Sequence, residues 1–185
     1  MPFYSADATF TQAINGLAGH VGMIDAALIW ISSIGVPILV VLVAIQWWLT
    51  PDRSRDRHVL ISAGLSFLIG LGLNQVTLLF VHRVRPYDAG ITHLIIERSA
   101  DFSFPSDHAT AAFAIAAAFL IHGLSRRGFW FLLVAVLVSF SRVYVGIHYA
   151  SDVLGGALTG ILAAMLVSGL YRRDTRLDRL LTNIL

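Results

Sequence analysis

Long apolar stretches separated by short polar segments make up most of the chain. Five of these stretches approach or exceed the length of about 20 helical residues that crosses a bilayer core. They lie near residues 26–49, 59–82, 107–124, 128–146 and 151–171. The third is the weakest, because it is short and begins with two ionisable residues, Asp107 and His108. The pattern predicts an all-α fold, a polytopic membrane helix bundle with about five transmembrane helices.

A weaker periodic pattern precedes the first of these stretches. Phe10, Ile14, Leu17 and Val21 recur at steps of three or four residues, which places them on one side of a helix. We predict an amphipathic helix over about residues 7–22, lying on the membrane surface within an N-terminal segment 1–22. A frayed tail is the alternative. The opening residues, MPFYSADATFTQ, lack the positive stretch of a signal peptide, so we expect them in the mature protein.

Composition supports a membrane protein and excludes several other classes. Hydrophobic residues make up 57% of the chain and charged residues 13%, against about 25% charged in soluble domains. The 185 residues leave room for a single domain, residues 1–185. The absence of cysteine excludes disulfide and thiolate chemistry, and the net charge of +2 gives no indication of nucleic acid binding.

The distribution of basic residues predicts an orientation. All 13 basic residues are arginine, and with five spans nine of them fall on one side of the membrane. They are Arg53, Arg55, Arg57, Arg126, Arg127, Arg172, Arg173, Arg176 and Arg179. The positive-inside rule makes that side cytoplasmic. We therefore expect the N-terminus outside, and residues 172–185 as a cytoplasmic tail.

The four remaining arginines, Arg83, Arg85, Arg98 and Arg142, fall on the opposite face, where the positive-inside rule does not explain them. The segment 83–106, which contains three of them, is too long for a simple connection. We predict that it is an extracytoplasmic active-site loop.

Three polar clusters meet on that outer face: HRVRPYD after the second span, PSDH at the start of the third, and SRVYVGIHYASD between the fourth and fifth. Each cluster contains residues suited to binding or attacking a phosphate. Arginine presents a planar fork of donors that matches phosphate oxygens, so Arg85 and Arg142 are candidate phosphate ligands. Ser106 is placed to cap the third helix, whose first N–H groups favour an anion.

Two histidines in these clusters are candidates for catalysis. His148 and Asp152 are four residues apart, so the carboxylate can orient the imidazole for in-line attack on phosphorus. His108 is then placed to donate a proton to the leaving oxygen. The reaction would pass through a phosphohistidine that water later hydrolyses.

Each residue also has a structural interpretation. A lone histidine at a membrane boundary is usually solvated, an interpretation we apply to His20, His58, His93 and His122. A lone arginine near a span end usually extends toward the headgroups. Within the second span, interhelical hydrogen bonding by Asn74 is favoured over a direct role. The joint occurrence of histidines, aspartate and arginines on one face favours a functional site.

These clusters resemble the signature of the type-2 phosphatidic acid phosphatases, which reads K-x6-R-P, then P-S-G-H, then S-R-x5-H-x3-D. The third element is matched in full by Ser141, Arg142, His148 and Asp152. The resemblance implies His148 as nucleophile, Asp152 as its orienting partner and His108 as general acid. It implies Arg85, Arg142 and Ser106 as phosphate ligands, with Ser141 beside them.

Two positions depart from that signature. The lysine of the first element falls at Leu78, and Arg83 is the nearest replacement, either as a phosphate contact or as a solvated loop residue. Asp107 replaces the glycine of the second element, a variant that resembles undecaprenyl-pyrophosphate phosphatases. A carboxylate there needs a partner, which Arg83 or Arg98 would supply, or a capping role.

The leading function is therefore hydrolysis of undecaprenyl pyrophosphate to undecaprenyl phosphate and inorganic phosphate. Alternatives with the same residues are a phosphatidic acid or phosphatidylglycerophosphate phosphatase and a lipid phosphotransferase. A small transporter or a membrane subunit is disfavoured, because neither explains the clustered site. We expect no metal and no cofactor, since arginines supply the positive charge. Expected partners are the lipid substrate and membrane lipids, in the bacterial inner membrane with the site facing outward. The sequence does not indicate the oligomeric state.

Overall fold

The computed structural model describes residues 2–50 and 53–184, and this part of the chain contains seven helices and no strand. In chain order they are α1 (Pro2–Asn15), α2 (Gly22–Leu49), α3 (Arg53–Leu78), α4 (Asp107–Ile121), α5 (Ser125–Tyr144), α6 (Ala150–Leu170) and α7 (Arg176–Thr182). The predicted all-α membrane bundle is confirmed.

Four of these helices, α2, α3, α5 and α6, are long and apolar enough to cross a membrane. Helix α4 occupies the third predicted span but has 15 residues and ends at Ile121 rather than at residue 124. At 1.5 Å per residue it is about 22 Å long, shorter than a hydrocarbon core of about 30 Å. Most of its side chains are buried, so α4 lies inside the bundle.

Helix α6 packs closely against α4 because glycine removes the side chain at their contact. A Cβ atom at Gly156 would collide with the backbone oxygen of Ser106, and one at Gly160 with that of Thr110. The glycine pair therefore acts as a small-residue helix-packing motif. The consequence of this close packing is that the beginnings of α4 and α6 are held side by side.

Helix α3 ends at Leu78, four residues earlier than the predicted span, so the non-helical connection to α4 begins at residue 79. This lengthens the predicted loop 83–106. The turn between α5 and α6 also has a defined shape: Gly146 adopts φ +84°, which side-chain-bearing residues rarely do. Through that turn, the last turn of α5 and the first turn of α6 face the same space.

Helix α1 ends at Asn15, earlier than the predicted residue 22. It is amphipathic, but its polar side is the buried one. Thr11 accepts a hydrogen bond from the Ala150 amide at 3.0 Å, and Asn15 donates to the Tyr144 carbonyl at 2.8 Å. On the other side, Phe10 is 60% exposed. Polar contacts thus dock α1 onto the turn between α5 and α6.

The C-terminal segment is docked as well. Asp178 of α7 is buried, lies 2.8 Å from His58 Nδ1 and accepts a hydrogen bond from the Tyr171 hydroxyl at 2.6 Å. His122 contacts the Ser62 hydroxyl at 3.0 Å. The interpretation of His58 as a solvated boundary residue is therefore wrong, because its ring is buried against the segment that follows α6.

Candidate active site

A cavity of about 120 Å³ lies where the connection from α3 to α4 meets the starts of α4 and α6 and the end of α5. Five of the residues that the sequence singles out line it, although they come from three separate segments. These five are Arg85, Asp107, His108, Arg142 and His148, and the remaining lining residues are Leu78, Ser99, Asp101, Phe102 and Pro105. The cavity thus collects two histidines, two arginines and two carboxylates.

His148 is almost completely buried at the base of the α5–α6 turn. Its Nε2 atom lies 3.5 Å from an Arg85 nitrogen, and its Nδ1 atom lies 3.5 Å from Asp152 Oδ2. Nδ1 has no hydrogen-bond partner among the described residues, so its contact with Asp152 is a close approach and not a hydrogen bond. Burial, aided by the charges of Arg142 and Arg85, lowers the pKa of His148 to about 4. Near pH 7 the imidazole is neutral, with a lone pair on one nitrogen.

Asp152 is completely buried in the first turn of α6, and three groups donate to its carboxylate. Oδ2 accepts from the Tyr149 amide at 2.8 Å and from the Ser103 hydroxyl at 2.5 Å. Oδ1 accepts from Arg83 at 2.6 Å. Both oxygens are therefore held, which fixes the plane of the carboxylate beside His148. Sequence reasoning missed Ser103, and its place just before the PSDH cluster is the one signal that pointed to it.

Arg85 is held in the cavity wall by backbone oxygens. It donates to the carbonyls of Asp101 at 2.8 Å, Ile147 at 3.1 Å and Phe102 at 3.2 Å. Burial lowers the pKa of Arg85 from its ordinary value, but a guanidinium keeps its charge at neutral pH. These neutral partners leave the positive charge available to an anion.

Arg142 approaches the same cavity from the last turn of α5. One of its terminal nitrogens donates to the Ser32 hydroxyl at 2.7 Å. Its Nε is buried and has no partner within the described ranges. No carboxylate pairs with the Arg142 guanidinium in this part of the chain, and an incoming anion would supply the missing acceptor.

Ser106 is the N-cap of α4, as the sequence predicts, and its hydroxyl accepts from the Ala109 amide at 3.5 Å. This cap ends the connection from α3 and places His108 in the first turn of the helix. His108 thereby lines the same cavity as His148.

The partner of Asp107 is not an arginine. Asn74 of α3 donates to Asp107 Oδ1 at 2.6 Å and to the Thr110 hydroxyl at 2.9 Å. Arg98, one of the two predicted partners, pairs with Asp88 at 3.1 Å on the surface. The expectation of an Asp107–arginine pair is therefore wrong, while the prediction that Asn74 joins helices is confirmed.

Three predicted phosphate contacts, Ser106, Ser141 and Arg83, do not line the cavity. The Ser141 hydroxyl is buried and donates to the Val138 carbonyl at 2.7 Å within α5. Arg83 lies behind the cavity, where it contacts Asp152 and also Asp7 of α1 at 2.6 Å. Burial alone would lower the pKa of Arg83, but the two carboxylates outweigh it and raise that pKa. No signal in the sequence pointed to Asp7.

The sequence of residues 57–176 matches the PAP2 superfamily. The chain belongs to this superfamily. It is thus a phosphatase, and its long apolar helices make it an integral membrane protein.

Individual PAP2 relatives differ in their substrates. The chain is 35% identical over 156 residues to undecaprenyl-diphosphatase BcrC of Bacillus subtilis (strain 168), covering 84% of this chain and 79% of the relative. It is 37% identical over 127 residues to phosphatidylglycerophosphatase B of the same organism, covering 61% of this chain and 60% of the relative.

Among solved structures, the chain resembles a transmembrane PAP2-type phosphatidylglycerolphosphate phosphatase from Bacillus subtilis with a TM-score of 0.67 and 28% identity. The match covers 95% of this chain and 89% of the other. The fold of this chain is therefore that of a PAP2 membrane phosphatase.

The geometry of this PAP2 site suits transfer of a phosphoryl group. Two guanidinium groups supply positive charge where phosphate oxygens gain negative charge. A buried neutral imidazole lies beside them, next to a fixed carboxylate. Among the described residues no group of three or more His, Asp or Glu side chains is arranged to hold a metal ion.

Proposed function

We propose that the protein hydrolyses undecaprenyl pyrophosphate to undecaprenyl phosphate and inorganic phosphate through a phosphohistidine on His148. The observation that carries this proposal is that Arg85 lines a single cavity together with Arg142 and His148, although Arg85 lies far from the other two in the sequence. A lipid phosphate is the natural occupant, because the cavity lies at the end of a bundle of membrane-spanning helices.

In the first step, Arg85 and Arg142 bind the terminal phosphate through its oxygens. The lone pair of His148 Nε2 attacks phosphorus, and the bond from phosphorus to the bridging oxygen breaks with its electron pair. The products are phosphohistidine and undecaprenyl phosphate. Asp152 stabilises the positive charge that develops on the imidazole. His108, when protonated, donates its proton to the leaving oxygen.

In the second step, water attacks the phosphoryl group and gives a proton to His108, which lost one in the first step, and the nitrogen–phosphorus bond breaks. His148 regains its lone pair and inorganic phosphate leaves. Arg85 and Arg142 stabilise the same oxygens in both steps. Because the arginines supply this charge, we propose that hydrolysis needs no metal ion.

The choice of an isoprenyl diphosphate is supported by the relatives and by one residue. The undecaprenyl-diphosphatase relative is matched over a larger share of this chain than the phosphatidylglycerophosphatase relative, 84% against 61%. The residue is Asp107, which lines the cavity and replaces the glycine of the PSGH signature. This variant of the signature resembles that of undecaprenyl-pyrophosphate phosphatases. A phosphatidic acid or phosphatidylglycerophosphate phosphatase is the second candidate, supported by the solved structure that the chain resembles. A lipid phosphotransferase would use the same first step.

The arginine distribution supports an orientation in which the cavity faces the exterior. We propose an inner-membrane location with the N-terminus outside and residues 172–185 in the cytoplasm. The loop that the sequence predicts at 83–106 then lies on the outer face and closes the cavity.

The test is phosphate release by the purified protein in detergent from undecaprenyl pyrophosphate, phosphatidylglycerophosphate and phosphatidic acid, each with and without EDTA. We expect the diphosphate to give a kcat/KM at least about tenfold above either monophosphate, which is a difference of about 1.4 kcal/mol. We also expect EDTA to leave the rate unchanged. Faster cleavage of a monophosphate would contradict the substrate assignment. Loss of activity in EDTA, restored by a divalent ion, would contradict metal independence.

A further inference from the structure

We propose that Arg83, itself held by Asp7 of α1, is a positioning residue that fixes the Asp152 carboxylate behind His148. This inference rests on the proposed function, because it assigns Arg83 a task in activating the proposed nucleophile. It makes the N-terminal helix part of the catalytic assembly.

The first observation is where the Arg83 guanidinium lies. Its Nη1 donates to Asp152 Oδ1 and to the Ser151 hydroxyl, each at 2.6 Å, and its Nη2 donates to Asp7 Oδ2 at 2.6 Å. Its plane lies over the Tyr149 ring, 3.8 Å from the ring centroid. These contacts, on two edges and one face of the guanidinium, hold it in a single orientation. Arg83 is absent from the cavity lining, so it reaches the nucleophile only through Asp152.

The second observation is that Asp7 fixes the same region independently. Asp7 is 8% exposed and accepts from the Ser151 amide at 3.0 Å and the Ser151 hydroxyl at 2.5 Å. Ser151 directly precedes Asp152. One carboxylate of α1 therefore holds both the first turn of α6 and the arginine that pairs with that turn.

The third observation concerns the charge of Asp152. A completely buried carboxylate needs a cation or several donors to stay ionised. Arg83 is the one cation that the described residues place against Oδ1, while Oδ2 receives the Tyr149 amide and the Ser103 hydroxyl. Without Arg83, Oδ1 loses its partner, and the carboxylate either rotates or takes a proton. In both cases the carboxylate would orient His148 less well and would stabilise its developing positive charge less well.

In this arrangement Arg83 does not replace the lysine that is missing at position 78. The lysine of the PAP2-type signature is missing, and Leu78 lines the cavity in its place. Arg83, five residues after Leu78, has its positive charge behind the cavity, where it does not contact the substrate. The two phosphate ligands that line the cavity are then Arg85 and Arg142.

The test compares Arg83→Met with Arg98→Met, a matched control in the same loop whose arginine pairs with Asp88 on the surface. For Arg83→Met we expect kcat on farnesyl pyrophosphate to fall roughly 10- to 100-fold, by analogy with the loss of a residue that orients a metal ligand. We expect KM to change by less than about threefold, because the interaction lost is not with bound substrate. The acid limb of the kcat profile should move to higher pH, and Arg83→Lys should restore part of the rate. Arg98→Met should match the wild type in kcat, KM and pH profile.

Asp7→Asn keeps the inference testable if Arg83→Met does not fold in detergent. It preserves the shape of the side chain but removes the charge that holds Arg83, and we expect a smaller fall in kcat with the same shift of the acid limb. A kcat for Arg83→Met, or in its absence for Asp7→Asn, equal to that of Arg98→Met would overturn the inference. So would an effect confined to KM, which would place Arg83 on the substrate.

His148→Ala is run beside these variants to separate the two claims. If wild-type activity disappears in His148→Ala while Arg83→Met behaves as Arg98→Met, the inference fails and the proposed function stands. If phosphate release does not depend on His148, the proposed function fails, and the inference fails with it.

Discussion

Replacing His148 by alanine is expected to lower phosphate release from farnesyl or undecaprenyl pyrophosphate by about 10⁴-fold or more. The variant lacks the group that we propose forms the bond to phosphorus, and loss of a covalent nucleophile is among the most costly changes an active site undergoes. The measurement is the initial rate of inorganic phosphate release by purified protein in detergent. Vanadate, which mimics a phosphate in transfer, should inhibit the wild type.

His93→Ala is a suitable control for that variant, because His93 is an exposed histidine that does not line the cavity. It should retain the wild-type rate. A thermal unfolding midpoint for His148→Ala within a few degrees of the wild type would show that the loss is chemical and not a loss of fold. A His148→Ala protein that is folded and fully active would contradict the assigned nucleophile.

Replacing His108 by glutamine should have an effect that depends on the leaving group. Cleavage of phosphatidic acid expels an alkoxide, which needs a proton, and we expect kcat/KM to fall by about 10²- to 10⁴-fold, as for loss of a general acid. Cleavage of farnesyl pyrophosphate expels a phosphate monoester, which is a far weaker base, so the loss should be at least about tenfold smaller. The comparison uses kcat/KM, since this quantity reports the step that forms the phosphohistidine.

The kcat/KM of the variant on each substrate is divided by the wild-type kcat/KM on the same substrate. Differences between the lipid tails therefore do not affect the comparison. Equal losses on both substrates would contradict the role of His108 as proton donor to the leaving oxygen. They would favour a role in binding, because His108 lines the cavity together with Arg142.

The helices were predictable because hydrophobicity repeats along the chain, whereas their ends depend on local hydrogen bonds. The five predicted spans and the predicted N-terminal helix all contain helices, and α4 begins at Asp107, directly after the Ser106 cap, where its span was predicted to begin. The end of α3 was missed by four residues, because the apolar run continues past Leu78 while the helix does not. The length of α4 was overestimated because His122 and Gly123 form a turn directly after Ile121, with Gly123 at φ +77°.

The cavity residues were predictable from their chemistry, but their partners were not. Arg85, His108 and His148 stand in clusters whose spacing points to phosphate chemistry. Asp7 and Ser151 are 144 positions apart in the chain, and Ser103 and Asp152 are 49 apart. Such contacts form between single polar residues that follow no periodicity, so nothing in the linear pattern indicates them.

Arg83 and Asp107 show that the charge of a residue did not predict its partners either. The sequence gives the sign of each residue and its nearness to the motifs, but not the direction in which the side chain points. Arg83 points away from the cavity to Asp7 and Asp152, and Asp107 is held by a neutral amide, Asn74. Both outcomes depend on packing between helices that are distant in sequence.

The most direct test of the proposed mechanism is to trap its covalent intermediate. Purified protein is mixed with isoprenyl diphosphate carrying ³²P in its terminal phosphate, quenched in alkali within milliseconds and digested to peptides. We expect protein-bound label that is stable in alkali and lost in acid, located on His148 and absent from His148→Ala. Rapid turnover with no bound label at any quench time, or label that persists in His148→Ala, would contradict it.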